Sequence, residues 1–228
     1  MRARMKRQSI IAIACGVVPM AIVHFAYWLN IQAGVALDAE FVCNPYLEGC
    51  VSTSRGVRSG PGLLWFKAVM LPVAVLLVVT WRALADWMAG LSTEMPRIRR
   101  WALRLGIGGA IALVFYVIYL GTEGPVYSWL RRYGIIFFFG FTALAQLVAA
   151  RFVWGVFPAG APRTAAAFLA VVTLQWGVGV FSAIKRLFFE NPHIIDRLEN
   201  ITEWFMIAAM SLGFVLIGLL LRGEKRAS

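Results

Sequence analysis

Six stretches of the chain are apolar over about twenty residues each, and the polar positions gather between them. They run Ser9–Asn30, Pro61–Trp81, Trp101–Leu120, Tyr133–Val156, Thr164–Ile184 and Ile201–Leu221. A hydrocarbon core about 30 Å thick takes a helix of about 20 apolar residues, since each residue rises about 1.5 Å and every backbone N–H and C=O must be bonded within the segment. The pattern therefore predicts an all-α, polytopic membrane protein, a bundle of six transmembrane helices with short loops. Six such spans use about 120 positions. The rest of the 228 residues leaves no room for an ordinary soluble domain, so residues 1–228 read as a single transmembrane domain. There is no internal repeat and no low-complexity tract.

Composition sharpens this. Hydrophobic residues make up 61% and charged residues 14% of the chain, and mean hydropathy is +0.76. Soluble domains are about 45–50% apolar and about 25% charged, so a soluble enzyme, a disordered chain and a secreted disulfide scaffold are all excluded. The first apolar run follows Arg2, Arg4, Lys6 and Arg7, as a signal peptide would. It is too long for a typical signal core, however, and Tyr27-Trp28-Leu29 stands where small residues would mark cleavage. It reads as a retained span, with Cys15 a buried thiol inside it.

Net charge is +11. With the N-terminus placed inside, inner segments carry 14 Lys and Arg and outer segments 7. Positive loops stay in the cytoplasm, so both termini are expected there, in a bacterial-type inner membrane. The basic balance is a matter of anionic lipid; nucleic acid is not expected as a partner. Trp28, Trp65, Trp81, Trp87, Trp101, Trp129, Trp154 and Trp204 fall near span ends, as an interfacial belt would, with Trp176 deeper. Pro19 and Pro72 are expected to kink their helices. Gly106/Ala110 and Gly179/Ala183 are small pairs suited to close helix contact.

Two outer cysteines, Cys43 and Cys50, lie on the oxidising side and out of reach of Cys15, so a disulfide between them is expected. It would pin the turn Asn44-Pro45-Tyr46-Leu47-Glu48-Gly49 over the bundle mouth. Two histidines, one of them in a loop, do not supply a metal set, and neither metal nor cofactor is expected. His24, inside the first span, reads as a hydrogen-bonded packing residue, and His193 as a solvated loop residue.

Within the first outer loop, Asn44-Pro45-Tyr46-Leu47 is followed by Val51-Ser52-Thr53-Ser54, a Gly/Pro-rich stretch to Pro61, and Trp65-Phe66-Lys67. This resembles the first lumenal loop of the damage-regulated autophagy modulator (DRAM) family, with its Sfk-type and GPI-anchor-remodelling PGAP-type members and the N-terminal part of the Cwh-type proteins. That pattern is Asn-Pro-aromatic-Leu, a short Ile/Val-Ser stretch, a Pro, then a large residue and Phe leading into the second helix. Glu203-Trp204 and the six spans also match. The fourth span departs, with Trp129-Leu130-Arg131-Arg132-Tyr133 where the family has a histidine. The resemblance implies remodelling or distribution of lipids, or a supporting role in it.

Candidate site residues lie at the outer mouth. Lys67 is about two turns inside its span. It snorkels outward, pairs with a carboxylate of the last helix such as Glu203, or meets a lipid headgroup; the three readings stay open. Arg58, Arg131, Arg132, Lys185 and Arg186 are suited to a phosphate, and Trp129, Tyr127 and Phe189 to acyl chains or glycerol. Glu123, His193 and Glu203 are the groups a lipid-modifying enzyme would use. The third outer loop, Lys185–Asn200, interleaves apolar and charged residues and is expected to lie in the interface. Three functions remain: a factor that binds, remodels or organises lipids of the outer leaflet; a lipid-modifying enzyme such as an acyl-transfer factor; or a structural subunit beside a membrane-protein partner.

Overall fold

The computed structural model describes residues 2–35, 43–157 and 162–223. Every regular element among them is helical. In order these are α1 (Arg2–Gln32), α2 (Thr53–Gly56), α3 (Gly60–Leu91), α4 (Pro96–Tyr119), α5 (Pro125–Val156), α6 (Arg163–Ile184), a 3-10 turn at Lys185–Leu187, and α7 (Pro192–Arg222). Six of them are long and apolar enough to cross a membrane. The six-helix reading holds, and α2 is a single turn laid across one end.

The helices overrun the apolar stretches. α3 continues ten residues past Trp81, and α5 starts eight residues before Tyr133. Hydropathy marks only the part that suits hydrocarbon, whereas helical hydrogen bonding continues through the interface. The stretch expected to be the third outer loop is corrected most: its second half, from Pro192, is the first turns of α7, started by Pro at N1 and by the Asn191 side chain accepting the His193 N–H at 3.0 Å. α1 and α3 run unbroken as helices through Pro19 and Pro72.

Round the bundle the neighbours are α1, α3, α4, α5, α6, α7 and α1 again. α5 lies tightly along α4 but only lightly against α6. Inside is an apolar chamber of about 50 Å³, walled by α1, α3, α4, α5 and α7, with Thr53 and Val57 above it. α6 does not line this chamber; it packs on the outside of α7.

Three tryptophans of the expected interfacial belt are core residues instead. Trp81, Trp87 and Trp204 are buried, while Trp28, Trp65, Trp101, Trp129 and Trp154 are exposed as expected. Gly106 explains the first: a Cβ there would lie 2.2 Å from the Trp81 ring, so glycine opens the notch that the indole fills. Cys15 is buried, as its position in a span suggested, against the Thr80 hydroxyl at 3.4 Å. Lys225 and Arg226, counted in the charge bias, lie outside the described residues.

Candidate functional site: an arginine basin beside a pinned lid

The Cys43–Cys50 disulfide is present and closes a compact turn. Asn44 organises it, its carbonyl accepting the Glu48 N–H at 2.8 Å and its side chain the Tyr46 N–H at 3.1 Å. Both flanking helices hold this lid. From α7, Arg197 Nε donates to Glu48 O (2.7 Å), Asn200 Nδ2 to Gly49 O (2.8 Å) and Trp204 Nε1 to Val51 O (2.9 Å). Gly49 is required where the lid meets α7: its φ is +63°, and a Cβ would come within 2.3 Å of Arg197 O.

From α1, His24 pairs with the Tyr46 hydroxyl at 3.1 Å through Nε2 and with Met20 O at 2.7 Å through Nδ1. Only the imidazole can donate to the carbonyl, so Nδ1 carries a proton; in the neutral ring Nε2 then accepts from Tyr46. His24 is thus the hydrogen-bonded packing residue expected of it. Burial raises the Tyr46 phenol above its usual pKa. Asn30 secures the next segment, accepting the Gly62 N–H at 2.8 Å and donating to Gly56 O at 2.9 Å.

Beside the lid, α2, the α4–α5 turn and the start of α5 enclose a basin of about 650 Å³. Arg55, Arg58 and Arg131 face it, with Glu123 the one carboxylate among its lining side chains. A deeper recess of about 270 Å³ continues to Tyr116, Ser54 and Arg132. Arg131 is aimed by Thr122 O and Ser128 Oγ, both at 3.4 Å. Arg55 meets Asp196 at 3.6 Å in an exposed pair. The Arg58 side chain has no ion pair or hydrogen bond among the described residues. Desolvation, then the charges of Arg131 and Arg55, lower its pKa from the ordinary guanidinium value. Arg55 has Asp196 and the basin has Glu123, but three guanidinium groups against two carboxylates leave a net positive charge that suits an anion.

The other candidates separate. Lys67 does not pair with Glu203. Its ammonium donates to Ile118 O at 3.1 Å, because α3 stands between α1 and α4 and barely meets α7. Glu203 turns instead to α2, accepting the Thr53 hydroxyl and, at 3.3 Å, the Ser54 N–H. The carboxylate thus tethers the one-turn helix, whose cap Ser52 accepts the Arg55 N–H at 3.2 Å. Lys185 and Arg186 are taken up by Glu199, at 3.2 and 3.4 Å, and do not reach the basin. Trp129 faces outward against Tyr133, and Tyr127 packs on Tyr119. His193 is exposed at the start of α7.

The charge count passed over Arg55 as a functional residue, and hydropathy gave no hint of Thr53 or Tyr116. The polar run Ser52-Thr53-Ser54-Arg55, with a capping residue at its head, was the available signal. Among the described residues no group of three His, Cys, Asp or Glu is placed to hold a metal ion. Comparison with protein-family models, with curated proteins and with solved structures finds no match.

Proposed function

We propose that this chain is a multi-pass inner-membrane protein that binds and organises a phosphate-bearing lipid at the outer leaflet, with both termini in the cytoplasm. The observation that carries the reading is the arginine basin: Arg58, whose side chain has no partner among the described residues, beside Arg131 and Arg55 at the end of a membrane bundle. Guanidinium groups match phosphate oxygens in shape and charge. The lid supports the same reading, since a disulfide belongs on the oxidising face. The bias of basic residues toward the opposite end and the DRAM-like first loop agree with it. Binding is preferred to chemistry because the carboxylate in contact with a hydroxyl, Glu203 with Thr53, is engaged in holding α2.

The test is native mass spectrometry of the protein released from membranes. The wild type retains phospholipid, and the Arg58→Ala/Arg131→Ala variant retains about tenfold less, equivalent to about 1.4 kcal/mol. Equal retention by a folded variant refutes the site. A reporter active only in the cytoplasm works after Ser228 and fails near Glu123; the reverse places the basin at the inner leaflet.

A further inference from the structure

Along the loose α5–α6 seam runs a groove of about 820 Å³, within the roughly 300–1,000 Å³ of small-molecule sites. Its lining is graded along the helix axes. Toward the lid end it is polar, with Lys185, Glu199 and Glu203; toward mid-bundle it is apolar, with Phe139, Val178 and Met206. The α6 and α7 walls follow this order, with their charged residues nearer the lid end, while the α5 wall, Ile135, Ile136 and Phe139, is apolar throughout. A bilayer lipid has this grading too, polar at its glycerol and apolar along its chains.

The groove also adjoins the basin's deeper recess. Ser54 and Ile135 line both the groove and the deeper arginine recess. The small pair Gly179/Ala183, which spacing alone would assign to helix contact, lines this space instead. A Cβ on Gly179 would meet only the Met206 terminal methyl, at 3.6 Å. Glycine here keeps a channel open.

We propose that the α5–α6 opening is a lateral doorway and seat for one acyl chain of a phospholipid whose phosphate lies among Arg55, Arg58 and Arg131. The assignment rests on the lipid-binding reading above and adds the ligand class and its route: a diacyl phospholipid arriving sideways from the bilayer, with its glycerol at the Ser54–Glu203 junction. No bond is made or broken.

The experiment uses the full chain in phosphatidylethanolamine vesicles containing phosphatidylglycerol with a diazirine on one acyl chain. After illumination, cross-links are expected on α5, α6 and α7 around Ile135, Phe139, Val178 and Met206. Gly179→Phe, which fills the groove, lowers labelling about tenfold. Gly177→Phe leaves it unchanged, because a side chain at Gly177 meets nothing within 4 Å. Gly179→Leu repeats the test with a smaller plug, and circular dichroism confirms helix content in each variant. Gly179→Phe also keeps any binding of sn-glycerol 3-phosphate, which needs only the basin. Normal labelling in folded Gly179→Phe, with loss in Arg58→Ala/Arg131→Ala, overturns the doorway while sparing the basin. Normal labelling in the arginine variant overturns both. Displacement of the lipid by sn-glycerol 3-phosphate, with no effect of Gly179→Phe, makes the ligand a soluble phosphate and overturns the proposal.

Discussion

Along α5, the flank facing α4 is closed by close-packed glycines, whereas the flank facing α6 keeps a groove. On the closed side a Cβ at Gly134 would lie 2.9 Å from the Tyr116 backbone nitrogen, and one at Gly109 would lie 2.6 Å from Thr142 Oγ1. On the open side Gly179 has a single neighbour, the Met206 methyl at 3.6 Å. Lipid tails are as apolar as leucine, so helices in a bilayer are held by close fit and not by exclusion of water. A glycine row favours that fit only when a partner backbone is brought against it. Where none is, the same residue leaves space for a lipid.

The sharpest way to break this comparison is one substitution made on both flanks. Gly134→Ala pushes a methyl group into Tyr116 and should cost about 1–3 kcal/mol through overpacking. Gly179→Ala has room and should gain up to about 1 kcal/mol from helix propensity. Thermal unfolding in detergent measures both. Effects of opposite sign are required; equal losses would mean that the α5–α6 seam is packed after all.

A second effect of similar size tests the lid, which is held by α1 and α7 and not by the α4–α5 pair. Cys43→Ser removes a cross-link over a short loop, worth about 2 kcal/mol in the chain-entropy picture. Amide exchange should rise over residues 43–52 while α4 and α5 stay protected. Uniform loosening of all helices would show that the lid, and not helix packing, holds the bundle together.

Smaller again is the Tyr46–His24 contact. Tyr46→Phe should cost about 0.5–1.5 kcal/mol for the lost hydrogen bond. The raised Tyr46 pKa adds a sign. The unfolded phenol ionises near pH 10, while the folded one still holds its proton, so above that pH the unfolded state binds fewer protons. Stability from Tyr46 is therefore complete below about pH 10 and is lost as pH rises through the folded value. Wild type and Tyr46→Phe should converge at high pH; a constant difference from pH 8 to 11 would refute the account.

The least effect on stability is expected at two cations. Lys67→Met removes one exposed bond to Ile118 O and should leave the melting temperature nearly unchanged. Arg58→Ala relieves repulsion from Arg131 and Arg55, so stability holds or rises while lipid retention falls. A large loss of stability at Arg58 would make it a structural residue.

Six spans, a disulfide and a packing role for His24 were legible in the chain because each depends on local pattern: hydropathy over twenty residues, two cysteines on one loop, one polar ring in an apolar run. The approximate place of the basin was legible too, since Arg58 and Arg131 precede the second and fourth apolar stretches, whose starts any six-span topology brings to one end. Helix limits were less so, because Lys185–Asn200 mixes apolar and charged residues and only the Asn191 cap and Pro192 reveal where α7 begins. Pairing across helices was not legible. Helical rise gives Lys67 and Glu203 compatible heights, yet α3 and α7 are not close neighbours.

Local covalent and hydropathic rules thus determined the membrane class, the number of spans and the cross-linked turn. Tertiary structure alone decided which faces meet. It buried Trp81 in the Gly106 notch, turned Glu203 toward Thr53, gathered Arg58 with Arg131 and Arg55 and kept Gly179 open beside Met206. The physical reason is that lipid treats every apolar helix face alike, so the choice of neighbour rests on shape and on a few buried hydrogen bonds, and these exist only once the helices are assembled.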